Sequence, residues 1–125
     1  MTPAAARAAL LADATIADEV GDGVHVGTAP AGARQPYVTL NVVSEIPERD
    51  LDAVAADRVL LQLDVYAETY AAGDALLRAA IVALTTAGAV RQGGSREPID
   101  GGAVAAGWRH RADFVTWTTS PESGV

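Results

Sequence analysis

Cysteine and lysine are both absent from this chain of 125 residues, and aromatic side chains make up only 5% of it. Without cysteine there is no disulfide framework and no thiolate metal site, which fits a reducing compartment. Without lysine, all positive charge rests on nine arginines against sixteen acids, leaving a net charge of −7. Phosphate recognition needs clustered cations, so this balance argues against a surface built to grip nucleic acid. An acidic surface instead favours solubility and keeps polyanions from sticking. No apolar run approaches the roughly 20 residues that span a bilayer. The opening Met1-Thr2-Pro3-Ala4-Ala5-Ala6-Arg7 lacks the basic-then-apolar order of a secretion signal. A soluble protein assembled in the cytoplasm, with no membrane partner, is the expectation.

What the chain does have is small and aliphatic. Half of the residues are hydrophobic, enough for a core and too many for a disordered chain. Heavy alanine use, with arginine as the sole long cation, reads as the codon bias of a GC-rich genome. The length suits one domain, expected over residues 1–119, with a Pro/Ser/Gly-rich flexible tail over 120–125.

Periodicity assigns the elements. Thr2-Pro3 followed by Ala4 to Leu11 predicts a capped helix, and Thr15-Ile16-Ala17-Asp18 a weak capping box opening a short turn that Gly21 ends. Val24-His25-Val26 is a short strand, and the Pro- and Gly-bearing segment 27–36 a loop. Tyr37 to Ile46 alternates as a strand, and the charged stretch 47–56 (Glu48, Arg49, Asp50, Asp52) reads as an exposed loop. The clearest signal lies at 57–68. Val59, Leu61, Leu63, Val65 and Ala67 alternate with Arg58, Gln62, Asp64, Tyr66 and Glu68, a strand with one buried face. Thr69 then opens a helix over 70–86, with Ala72, Leu76, Ala80 and Leu84 as its apolar stripe beside Leu77 and Ile81. Residues 89–97 predict a strand broken at Gly93-Gly94, and Trp108 to Thr118 a last strand with Trp108, His110, Ala112 and Phe114 on one face. The fold class is therefore α+β: one mainly antiparallel sheet of four to five strands, two helices packed on one face, order α-β-β-β-α-β-β.

Enzyme chemistry has few candidate actors. The two histidines, His25 and His110, lie in separate predicted strands with no nucleophile elbow, phosphate loop or zinc motif beside them. Two histidines alone make a poor zinc site. Glu48, Asp50 and Asp52 are close in sequence but in a solvated loop, with no apolar wall to raise a pKa for acid–base work. Arg109 and Arg111 form a basic spot too small for DNA specificity. No catalytic, metal or cofactor site is expected.

The order of features resembles the tail-terminator, or tail-completion, proteins of long-tailed phages and related gene transfer agents. An N-terminal Ala/Leu helix precedes a turn and Gly21-Asp22-Gly23-Val24-His25-Val26. A Pro-bearing loop, Ala29-Pro30-Ala31-Gly32, closes in Gln35-Pro36-Tyr37-Val38. After the charged loop, the strand Arg58 to Ala67 runs into Thr69-Tyr70-Ala71 and the long helix, and an Arg-rich, aromatic-ended strand from Arg109 to Trp117 completes the order. The likeness covers roughly residues 5 to 118.

The resemblance implies a structural virion protein at the head–tail junction: a homo-oligomeric ring, typically of six copies. Such a ring caps the tail tube, meets the head-completion protein on its other face, and passes DNA through its lumen without specific binding. A ring needs a heterologous interface that closes. Aromatics are favoured interface anchors, so Tyr66, Trp108 and Trp117 could serve as well as pack internally. Pro30, Tyr37, Glu48, Asp50, Asp52, Tyr66, Arg109, Arg111 and Trp117 are the candidate ring or partner contacts, with the loops and edges around the middle, chiefly 27–36, 47–56 and 91–107, as working parts. Six copies would carry six times −7, or −42, and an acidic lumen would let DNA slide. Two other readings remain open: another head–tail connector or minor tail protein, and a small ligand-binding module with a pocket between helix 70–86 and the sheet.

Overall fold

A computed structural model describes residues 1–48, 56–100 and 106–119. The order is α1 (Pro3–Leu11), α2 (Ala14–Val20), β1 (Val24–Val26), β2 (Tyr37–Glu48), β3 (Ala56–Ala67), α3 (Tyr70–Thr86), β4 (Val90–Ile99) and β5 (Gly107–Thr119). The expected tail at 120–125, and Arg49, Asp50 and Asp52 of the acidic loop, lie outside the described residues.

Each helix begins on a side chain that satisfies an otherwise orphan amide. Thr2 Oγ1 accepts from the Ala5 N–H at 3.1 Å, and Pro3, which has no N–H to orphan, fills the first helical position. The segment 14–20 is a helix rather than a turn. Its cap is Asp13, whose carboxylate accepts from the Ile16 N–H at 3.1 Å, not Thr15 as the capping-box pattern suggested. An ionised carboxylate also complements the helix dipole, so Asp13 wins over the neutral hydroxyl two residues on. Thr69 caps α3 through the Ala72 N–H at 3.1 Å. Gly88, at φ +108°, turns the chain out of that helix, with its N–H on the Thr85 carbonyl and the Ala89 N–H on the Leu84 carbonyl. This six-to-one pattern closes helices whose next residue must adopt left-handed φ.

The sheet runs β1-β2-β3-β5-β4. Every pairing is antiparallel except β1 with β2, which is parallel, so the sheet is mixed. The ten-residue loop 27–36 carries the chain back far enough for β2 to start again in the direction of β1, which a tight turn cannot do. All three helices pack on one face. Ala6 and Leu10 from α1, Ile16 from α2 and Leu76, Leu77, Ala80 and Leu84 from α3 meet Val24, Val38, Leu40, Leu61, Leu63, Val65, Ala112 and Phe114 in one core. Each large apolar side chain so buried contributes about 1.5–3 kcal/mol.

Three details depart from the periodicity. On α3, Ala72 is exposed and Gly73 takes the buried position beside it. β4 is not broken at Gly93-Gly94: it is continuous, with an extra residue at Gln92 where the register against β5 shifts. β2 extends through Pro47 to Glu48 rather than ending at Ile46. Proline is admissible there because β1 pairs only with Val38–Leu40 and leaves this stretch on the sheet margin.

Candidate functional site

The sheet face opposite the helices carries the candidate residues. Alternation sends Tyr37, Thr39 and Asn41 of β2, Gln62, Asp64 and Tyr66 of β3, and Arg109, Arg111 and Asp113 of β5 away from the core. The register stacks them in rungs: Tyr37–Tyr66–Arg109, Thr39–Asp64–Arg111 and Asn41–Gln62–Asp113. Further along, Ile46, Arg58 and Trp117 form a rung at the opposite end. Five of the nine sequence-nominated residues, Tyr37, Tyr66, Arg109, Arg111 and Trp117, thus share one face.

Each rung is tied by a different interaction. The Tyr37 and Tyr66 rings stack, with centroids 4.7 Å apart at 17°. His25 meets Tyr37 edge-on at 6.1 Å. Burial, and secondarily the neighbouring Tyr66, raise the Tyr37 hydroxyl pKa above its usual value. Arg111 holds Asp64 with two nitrogens, Nε at 2.7 Å and Nη2 at 3.2 Å, and that carboxylate raises the Arg111 pKa further. Asp64 is only 3% exposed. Arg109 pairs with Glu97 of β4, and the Gln62 amide donates to Asp113 at 3.2 Å. The two arginines nominated as a basic spot are therefore each neutralised by an acid.

Loop 27–36 borders an open hollow of about 540 Å³ lined by Gly27–Ala33, Tyr37, Thr39, Asn41, Asp64 and Tyr66. Pro30 belongs to that rim, in a turn closed by the Ala33 N–H on its carbonyl at 3.1 Å. The hollow lies on the open face. Between α3 and the sheet, where the ligand-module reading placed its pocket, Leu76, Leu77, Ala80, Leu84 and Phe114 are packed core. Trp117 stands at the far end of the face, 45% exposed, and its carbonyl accepts from the Met1 amino group. Glu48 ends β2 opposite Ala56; Asp50 and Asp52 fall outside the described residues.

The helix side holds what sequence reasoning missed. His110 is fully buried, and neither ring nitrogen makes a well-formed hydrogen bond among the described residues. It sits against Gly73, with the Tyr70 ring centroid at 4.9 Å and that of Trp108 at 6.2 Å. Trp108, half-buried, packs edge-on to Tyr70 at 5.1 Å. Asp74 joins the cluster, accepting from Arg96 Nη2 at 2.8 Å and from Arg78 Nε at 2.7 Å. These bonds lower the Asp74 pKa. Arg78 lies four residues on from Asp74 along α3, whereas Arg96 reaches it from β4. Among the described residues no three His, Asp or Glu side chains converge as a metal site.

A helix-backed sheet with extended margins carries, on its open face, polar rungs whose charges pair within the subunit. Residues 4–119 match the family of the tail completion protein gp17. The chain belongs to that family, one of structural proteins of phage-type tails. Among solved structures, the fold is similar to a chain in the virion of a native gene transfer agent particle. The two share 24% identity and a TM-score of 0.63, over 94% of this chain and 92% of that one. No curated protein matches the sequence.

Proposed function

We propose that this protein is a tail terminator: a subunit of a closed ring of six copies that caps the tail tube at full length. The ring's other face meets the head-completion protein, and DNA passes through its lumen. The observation that carries this reading is the family match across residues 4–119, which spans the described elements but for Pro3. Self-paired charges on the open face fit a role played by shape and edges. Reversing the charges of Glu48, Asp50 and Asp52 is expected to slow DNA passage, measured as ejection rate. The test of the capping role is tail length. Particles made without this gene are expected to carry tubes of uncontrolled length with no heads attached, and complementation restores a single length. Tubes of normal, uniform length that merely lack heads would instead favour a neighbouring head–tail connector.

A further inference from the structure

The sheet has two open margins. β1 pairs only with Val38–Leu40, so the outer side of β2 from Asn41 onward has no partner among the described residues, and neither has the outer side of β4. Both margins carry apolar side chains in solvent: Val42 at 37%, Val43 at 52% and Ile46 at 45% on β2, and Val90 at 47% on β4. Unpaired, apolar strand edges are templates for another chain. Such margins ordinarily need protection; here they are complementary to each other.

The geometry points to a head-to-tail joint in which β4 of one copy adds to the outer edge of β2 (41–46) of the next. This inference rests on the ring reading and names the surface that closes it. The directions agree first. β2 and β5 run one way, β3 and β4 the other, so in a ring of like-oriented copies β4 meets the next β2 antiparallel, as every other pairing beyond β1 is.

The faces then select a register. Ile46 lies on the rung of Arg58 and Trp117, the open face, and Val90 lies opposite Val115 on that same face. Glu45 lies opposite Val59 and Arg91 opposite Phe114, both on the helix side. Setting Val90 against Ile46 therefore sets Arg91 against Glu45, an apolar pair and a charge pair in adjacent rungs. Both charged side chains are exposed, and neither has an ion-pair partner among the described residues. Each strand also carries one irregularity nearby, between Val42 and Ser44 in β2 and between Arg91 and Gly93 in β4. One extra residue on each side keeps 90–95 and 46–41 in step.

Alternative self-pairings do worse. A β2–β2 joint would bring together two margins that each carry Glu45 and offer no arginine to pair it, which disfavours it. A β4–β4 joint would stop at a two-fold dimer and leave the β2 valines in water.

Because the chain has no cysteine, introduced thiols report cleanly. The double variant Ile46→Cys/Val90→Cys is oxidised after assembly and run without reductant, beside Val26→Cys/Val90→Cys, whose first thiol sits on β1. All three positions are exposed, so the fold is expected to survive. The expected result is a ladder of covalent multimers ending at the closed ring for 46/90 and none for 26/90. Adding Glu45→Arg is expected to abolish the ladder, and adding Arg91→Glu with it to restore the ladder. A ring of about 77 kDa, six times 12.8 kDa, that forms without 46–90 cross-links would overturn this interface and leave the ring reading intact. No assembly, either in solution or on tail-tube ends, would overturn both.

Discussion

Gly73 occupies a helix position where alanine would ordinarily stabilise by about 1 kcal/mol. Here a Cβ would sit 2.7 Å from His110 Cε1 and Nδ1, closer than side-chain atoms tolerate. Overpacking a core costs about 1–3 kcal/mol, so the clash outweighs the propensity gain. Gly73→Ala is therefore expected to lower stability in denaturant unfolding, and His110→Ala in the same chain to relieve part of the loss. His110 itself is held below its ordinary pKa of 6.5, first by burial and then by the Arg96 charge, while Asp74 and the Tyr70 backbone pull the other way. The unfolded chain binds this proton more readily, so the contribution is present above about pH 6.5 and lost as pH falls from there toward the folded value. The melting temperature is expected to decline over that window, and His110→Leu to flatten the decline. Neither Gly73 nor His110 was visible as a pair in sequence. His110 falls on the apolar side of its strand pattern, but the glycine that makes room for it is on another element.

At the scale of elements, β3 and α3 were legible because their patterns run long with few breaks. Val59 through Ala67 alternate with Leu60 alone out of step, α3 departs only at Ala72 and Gly73, and Thr69 both ends the loop and caps the helix. Replacing Thr69 with alanine removes the acceptor for the Ala72 N–H and is expected to cost about 1 kcal/mol, measured by chemical denaturation. Two elements were less legible for identifiable reasons. β1 is three residues long, too short for periodicity to say whether it runs parallel or antiparallel to its neighbour. β4 holds adjacent glycines, and the sequence does not distinguish a break from a strand continuing past an extra residue. The alternation places Asp64 on the open face, yet its near-complete burial and its two-nitrogen hold by Arg111 follow from the β3–β5 register, which the sequence does not state.

The whole molecule separates what packing explains from what assembly explains. The helix-side core accounts for the fold, and the open-face rungs are satisfied within one subunit by the Tyr37–Tyr66 stack and the Arg111–Asp64 and Arg109–Glu97 pairs. Among the described residues one copy leaves both sheet margins unpaired, and those are what a closed ring would use. The candidate site was therefore only half legible. Residue types nominated the open face, but free edges follow from strand order, which composition does not encode. Capping can be seen directly by mixing the purified protein with tail tubes grown from the same phage's tube protein and imaging the ends by electron microscopy. The account expects one six-fold ring at one end of each tube, and growth at that end to stop. Protein bound along tube walls, or capped ends that continue to elongate, would contradict it.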